Sequence, residues 1–138
     1  MNTPRGIRNC NPCNVIRDRT PWRGMSKDQS ADARFIVFDS PVWGIRAACE
    51  ILINYQLRHG LHTVQTIINR WAPPVENDTG AYIVAVAKAL SVAPNDAIDV
   101  LKPETLNMLV RAIILHENGQ QPYDDLTIET GVHLALLP

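Results

Sequence analysis

The sequence predicts a mainly α-helical domain with a small β-hairpin or sheet near its N-terminus. Three observations predict it. From Pro41 onward, apolar residues recur every three to four positions, with helix start and stop signals between the runs. Residues 1 to 34 instead hold Arg, Asn, Asp, Pro and Ser with few aliphatics. Between these regions lies "RFIVFD", residues 34 to 39, with the β-branched and aromatic content of a strand.

Before that strand, short extended pieces are expected around Asn14–Arg17 and Trp22–Met25. Ser40 and Pro41 then read as N-cap and first helical residue. Trp43, Ala47, Ile51 and Tyr55 follow at steps of four, and His59-Gly60 is a stop. Thr63 opens a second helix with Val64, Ile67, Ile68 and Trp71, ended by Pro73-Pro74. Asp78 or Thr79 opens a third through "GAYIVAVAKAL", with Tyr82, Val86 and Leu90 on one face. A short helix is expected near Asn95–Leu101. Pro103 opens a long one ending at Glu117, and a last helix from Asp124 is expected to be interrupted at Gly131.

The 138 residues suit one domain, 1–138, and no repeat or linker divides them. A composition of 46% hydrophobic and 20% charged residues is that of a globular protein, and no apolar run is long enough to span a bilayer, so no membrane partner is expected. The formal net charge of −1 argues against a dedicated nucleic-acid binder. Arg5, Arg8, Arg17, Arg19, Arg23 and Lys27 gather in the N-terminal part, which fits either a face toward an anionic polymer or a solvated loop region. The stretch "MNTPRGIRNCNPCN" lacks the hydrophobic segment of a signal peptide. The protein is therefore expected to be made in the cytoplasm and delivered by other means if it acts outside.

An odd cysteine count of 3 fits a reduced compartment better than a disulfide framework. Cys10-Asn-Pro-Cys13 is a lone C-x-x-C. Zinc would need two further ligands, which His59 and His62 could supply only through the tertiary fold. No metal site and no cofactor are expected.

The stretch "LVRAIILHENG", residues 109 to 119, puts a carboxylate where a core residue is due. Leu106, Val110, Ile113 and Glu117 share one helical stripe, and Leu109 and Ile114 flank it. Met108, Ala112 and Leu115 lie on the far side, so a helix packed on several sides is expected. A carboxyl group with an apolar floor, at a helix C-terminus, is poorly solvated when ionised, which favours its acid form. That is what protonation of a glycosidic oxygen requires. A glutamate there could equally pair with an arginine or reach water. "HEN" is not H-E-x-x-H, since position 120 is not histidine. His116 is expected to meet solvent or a backbone carbonyl.

Several stretches occur together: Asn9-Cys10-Asn11-Pro12-Cys13-Asn14-Val15-Ile16, Trp22-Arg23-Gly24, Phe35-Ile36-Val37-Phe38-Asp39-Ser40, and Ala72-Pro73-Pro74-Val75-Glu76-Asn77-Asp78-Thr79 with Tyr82 beyond. With "AIILHENG" at the back, this set resembles the lysozyme-like superfamily, in its glucosaminidase and lytic transglycosylase branches, over most of residues 5 to 123. There the glutamate helix leads; here it comes late, which implies a circular permutation. The chain also resembles small virion-associated proteins of phages and prophages.

The resemblance implies an enzyme that cleaves the glycan strands of peptidoglycan, as muramidase or lytic transglycosylase, with Glu117 as catalytic acid/base. The implied setting is a phage particle or secretion machine acting at the bacterial wall, the periplasm or within the virion. Tyr82, Asn11, Asn14 and Trp22 are the candidate substrate-binding residues. Tyr82 could hydrogen-bond the glutamate or the sugar, or serve the core. Trp22 and Trp71 could stack on sugar rings or pack inside. Asn11 and Asn14 could hold acetamido groups or cap their turn. Asp28, Asp32 and Asp39 are candidates for the second carboxylate of a hydrolase. The family turn has glycine where this chain has Cys13, which suggests a changed turn. The alternative is a non-catalytic virion or secretion-apparatus module, structural or glycan-binding, with the same fold.

Overall fold

A computed structural model describes residues 3–138. The helices are α1 (Arg5–Arg8), α2 (Pro41–His59), α3 (Val64–Trp71), α4 (Thr79–Ala89), α5 (Pro103–Asn118) and α6 (Asp125–Leu136). The mainly α expectation holds, and α1 is an addition to it. No described helix is long and apolar enough to cross a membrane.

Helix boundaries follow local chemistry. Ser40 is extended ahead of Pro41, which needs no amide partner as a first helical residue. Gly60 adopts φ 65°, and the amides of Gly60 and Leu61 return to the carbonyls of Gln56 and Tyr55, closing α2. Thr63 and Thr66 bond reciprocally at the start of α3. The Asp78 carboxylate accepts from the Ala81 amide, and that of Asp124 from the Thr127 amide. Gly119, at φ 71°, ends α5.

α5 is the hub, touching α1, α2, α4 and α6. It buries Leu106, Leu109, Val110, Ala112, Ile113 and Ile114. It is not apolar-packed all round as expected: Met108 and Leu115 are exposed, 41% and 53%. α2 lies along α6, and Gly131 is where they meet. A Cβ there would stand 2.6 Å from Cγ2 of Ile45. The expected interruption at Gly131 does not occur, because the glycine serves helix packing and α6 runs through it.

The expected N-terminal sheet is corrected. Among the described residues before 40, only isolated antiparallel bridges form, Ile16 with Phe35 and Met25 with Phe38. Side-chain amides take the place of a neighbouring strand. Gln29 accepts from the Val37 amide and donates to the Val37 carbonyl, at 2.9 and 2.8 Å. Asn11 Nδ2 donates to the Ile36 carbonyl at 2.9 Å. The backbone is satisfied without a ladder. The expected helix near 95–101 is also absent. Asp96 and Asp99 bond back to the amides of Ala93 and Leu101, and the Ile98 amide goes to the His62 carbonyl, which holds this segment as turns.

Candidate functional site

Glu117 ends α5 half-buried, with its carboxylate held from both sides. Asn14 Nδ2 donates to Oε1 at 2.9 Å, and the Tyr82 hydroxyl donates to Oε2 at 2.8 Å. These partners come from the N-terminal loop and from α4, so the site is a three-way junction. Asn14 sits at φ 55°, a left-handed conformation that asparagine tolerates better than most residues. Asn118, next to the glutamate, donates to the Pro12 carbonyl at 2.7 Å and to the Ile114 carbonyl at 2.9 Å. It ties the same loop to the end of α5. Gly6 of α1 closes over this knot: a Cβ there would lie 2.7 Å from Asn118 Oδ1 and 3.1 Å from Asn14 Oδ1.

Tyr82 is buried, and burial followed by the neighbouring Glu117 charge pushes its phenol strongly up, so it stays a hydroxyl. His116 does not simply face water. Its ring stacks on Tyr82, centroids 3.8 Å apart, bracing the phenol from the solvent side.

Glu117 borders a groove of about 640 Å³. The N-terminal loop contributes Asn14, Ile16, Asp18, Trp22 and Phe35 to its lining. Ile51, Asn54 and Tyr55 come from α2, Arg70 and Trp71 from α3, and Glu76 and Asn77 from the loop before α4. Arg34 and Glu76, both about half exposed, join the two walls through an ion pair of 3.0 Å.

The sequence candidates divide cleanly. Glu117, Asn14 and Trp22 border the groove. Tyr82 is buried in the core behind the glutamate and its hydroxyl bonds Oε2, so it serves the core and holds Glu117, and it is not on the groove wall where a substrate-binding residue was expected. Asn11 is corrected. It is fully buried, its amide donating to the carbonyls of Val15 and Ile36 and accepting from the Val15 amide, so it fixes the loop and is not on the groove wall. Asp28, Asp32 and Asp39 are also away from the groove. Asp28 and Asp32 accept from backbone amides of their own loops, and Asp39 accepts from Ser26 Oγ. The carboxylates that do border it besides Glu117 are Asp18 and Glu76. Neither Asp18 nor Glu76 was singled out from the sequence as a groove carboxylate; Asp78, two residues after Glu76, caps α4.

Cys13 does not take the backbone conformation that would call for glycine. The left-handed residues of this turn are its neighbours Cys10 and Asn14. Its thiol is buried at the groove floor and pushed well up by burial, then by Cys49 and Glu117. Burial raises the Cys10 thiol as well. Both shifts run opposite to those of a reactive thiolate. Among the described residues, no three His, Cys, Asp or Glu side chains converge as a metal site would need.

No family model matches the chain. Over 130 residues, 92% of this chain and 79% of the relative, it is 38% identical to Protein P5 of Pseudoalteromonas phage PM2. Similarity of that extent is common descent along nearly the whole domain, and the chain belongs to the family of this phage protein.

Proposed function

We propose that the protein cleaves the glycan strand of peptidoglycan, with Glu117 as the acid/base. The observation that carries the reading is a carboxyl group held by two donors at the edge of a groove that aromatic side chains line. Trp22 and Trp71 offer apolar faces for sugar rings, while Asn54 and Asn77 offer amides for hydroxyl and acetamido groups. A lysozyme-like fold with its glutamate helix moved to the back by permutation is part of the proposal. So is delivery within a phage particle, which a phage relative supports.

In the proposed reaction, Glu117 gives its proton to the glycosidic oxygen as the bond from that oxygen to the anomeric carbon breaks. The anomeric carbon then bonds either to water or to the sugar's own 6-hydroxyl, and the proton of that nucleophile returns to Glu117. The Tyr82 hydroxyl serves both states. It donates to the carboxylate, and by rotation it accepts from the acid.

A second reading, a glycan-binding or structural module of the virion, draws on the same contacts. A carboxylate occupied at both oxygens is also what a purely structural pin between loop and helix looks like. Digestion of purified sacculi separates the two. The catalytic reading expects release of muropeptides by the wild type and a loss of about 100-fold or more in Glu117→Gln. The module reading expects binding to sacculi with neither protein releasing anything.

A further inference from the structure

The groove carries a cation with no acidic partner among the described residues. Of its two guanidinium groups, that of Arg34 is committed to Glu76. Arg70 makes no ion pair among the described residues, and its Cζ instead lies 5.2 Å from the centroid of the Tyr55 ring. Tyr55 is held in turn edge-on by Trp71, with centroids 6.3 Å apart. Arg70, Tyr55 and Trp71 all border the groove, beside Asn54 and Asn77.

An arginine free in solvent loses much rotamer freedom on binding a ligand. One already laid on an aromatic ring has given up part of that freedom beforehand. Arg70 lies beside the Tyr55 phenol and also hydrogen-bonds it, and the N–H groups it keeps beyond that contact can meet a carboxylate with two parallel hydrogen bonds. Besides Glu117, the groove's other charge without an ion pair among the described residues is Asp18, which repels an anionic group. A carboxylate on a bound strand therefore has one favourable place along the groove, beside Arg70.

We infer that Arg70 reads a carboxylate carried by the bound glycan and so sets the register of the strand against Glu117. The inference rests on the proposed glycan groove and deepens it. Of the two alternating sugars of peptidoglycan, only the muramyl unit bears a lactyl arm, and that arm ends in a free carboxylate where the strand carries no stem peptide, so the inference concerns peptide-free strands. A carboxylate fixed at Arg70 thus decides which of the two glycosidic bonds lies at Glu117.

The test is calorimetric binding to Glu117→Gln, which leaves the strand intact. The probes are a peptide-free peptidoglycan tetrasaccharide and the neutral N-acetylglucosamine tetramer. The acidic probe is expected to bind about 10-fold more tightly. Arg70→Gln in that background brings the two affinities within about 2-fold, and Arg70→Lys, which keeps the charge and loses the fork, falls between. Equal binding of both probes before Arg70 is changed overturns the inference. So does an equal weakening of both by Arg70→Gln, which is the mark of a merely structural arginine. Binding of neither probe overturns the inference and the glycan groove together. Discrimination through Arg70 alongside a wild type inert on sacculi leaves the inference standing and removes only the catalysis.

Discussion

The Tyr82 hydroxyl lies 2.8 Å from Oε2 of Glu117, joining α4 to the end of α5 beneath the groove. Tyr82 itself is 2% exposed. Its aromatic ring belongs to the core while its oxygen belongs to the site, so packing fixes where the glutamate stands. Tyr82→Phe keeps the ring and removes the bond. Glycan cleavage is expected to fall about 10-fold, with a loss of about 1.5–3 kcal/mol in stability, the usual contribution of a hydrogen bond to a charged group. Parallel rate and urea-midpoint measurements check it. An unchanged rate would show that the hydroxyl has no part in holding Glu117 ready.

Asn14 combines a backbone role with a side-chain role, and two substitutions separate them. Asn14→Gly accepts φ 55° and loses the amide that meets Glu117. Activity should drop, and the lost bond to the carboxylate should lower stability by about 1–2 kcal/mol, offset in part by glycine's ease at positive φ. Asn14→Ala loses the amide and also strains the backbone, costing about 1 kcal/mol more than the glycine variant. Thermal melts beside sacculus digestion read both effects. Equal stability of the two variants would remove the backbone part of the account.

Gly6 has no room for a methyl group, because Asn118 and Asn14 stand against it. Gly6→Ala is expected to destabilise by about 1–3 kcal/mol through overpacking and to lower activity by moving the side chains that hold Glu117. Denaturant titration and rates together check this. A stable and fully active variant would mean the knot is looser than the contacts indicate.

Acid should loosen the N-terminal loop through Asp32. Its carboxylate accepts from the Phe35 and Arg34 amides and Asn9 Nδ2, with Arg5 at 3.3 Å, and these partners lower its pKa from the ordinary 3.8 to about 2. A carboxylate depressed in the folded state contributes its stability above the unfolded value and loses it as pH falls through the folded one. The loss should therefore run from about pH 4 down to about pH 2. Asp32→Asn should flatten that part of the stability profile, measured by urea midpoint against pH. Parallel profiles for the two proteins would contradict the assignment.

Helices were legible in the sequence where caps and periodicity agreed. Ser40-Pro41, Thr63, Asp78, Pro103, Asp124 and Gly60 mark ends that the structure keeps. Glu117 was legible for the same reason, as a charge in register with an apolar stripe. The N-terminal region was not. Asn11 and Gln29 satisfy backbone groups that a strand would otherwise pair, and nothing in "RFIVFD" shows which kind of partner will arrive. Gly131 misled because a glycine that permits close packing of two helices looks, in one sequence, like one that breaks a helix. The groove wall at Asp18 and Arg70 was hidden because it is assembled from segments far apart along the chain.

The most direct measurement is mass spectrometry of material released from purified sacculi by the wild type and by Glu117→Gln, with both folded by circular dichroism. The account predicts muropeptides with newly cut glycan ends from the wild type, 1,6-anhydro if the sugar's own hydroxyl closes the reaction and reducing if water does. It predicts close to none from the variant. Equal release by the two proteins, or no glycan cleavage by a folded wild type, would contradict it.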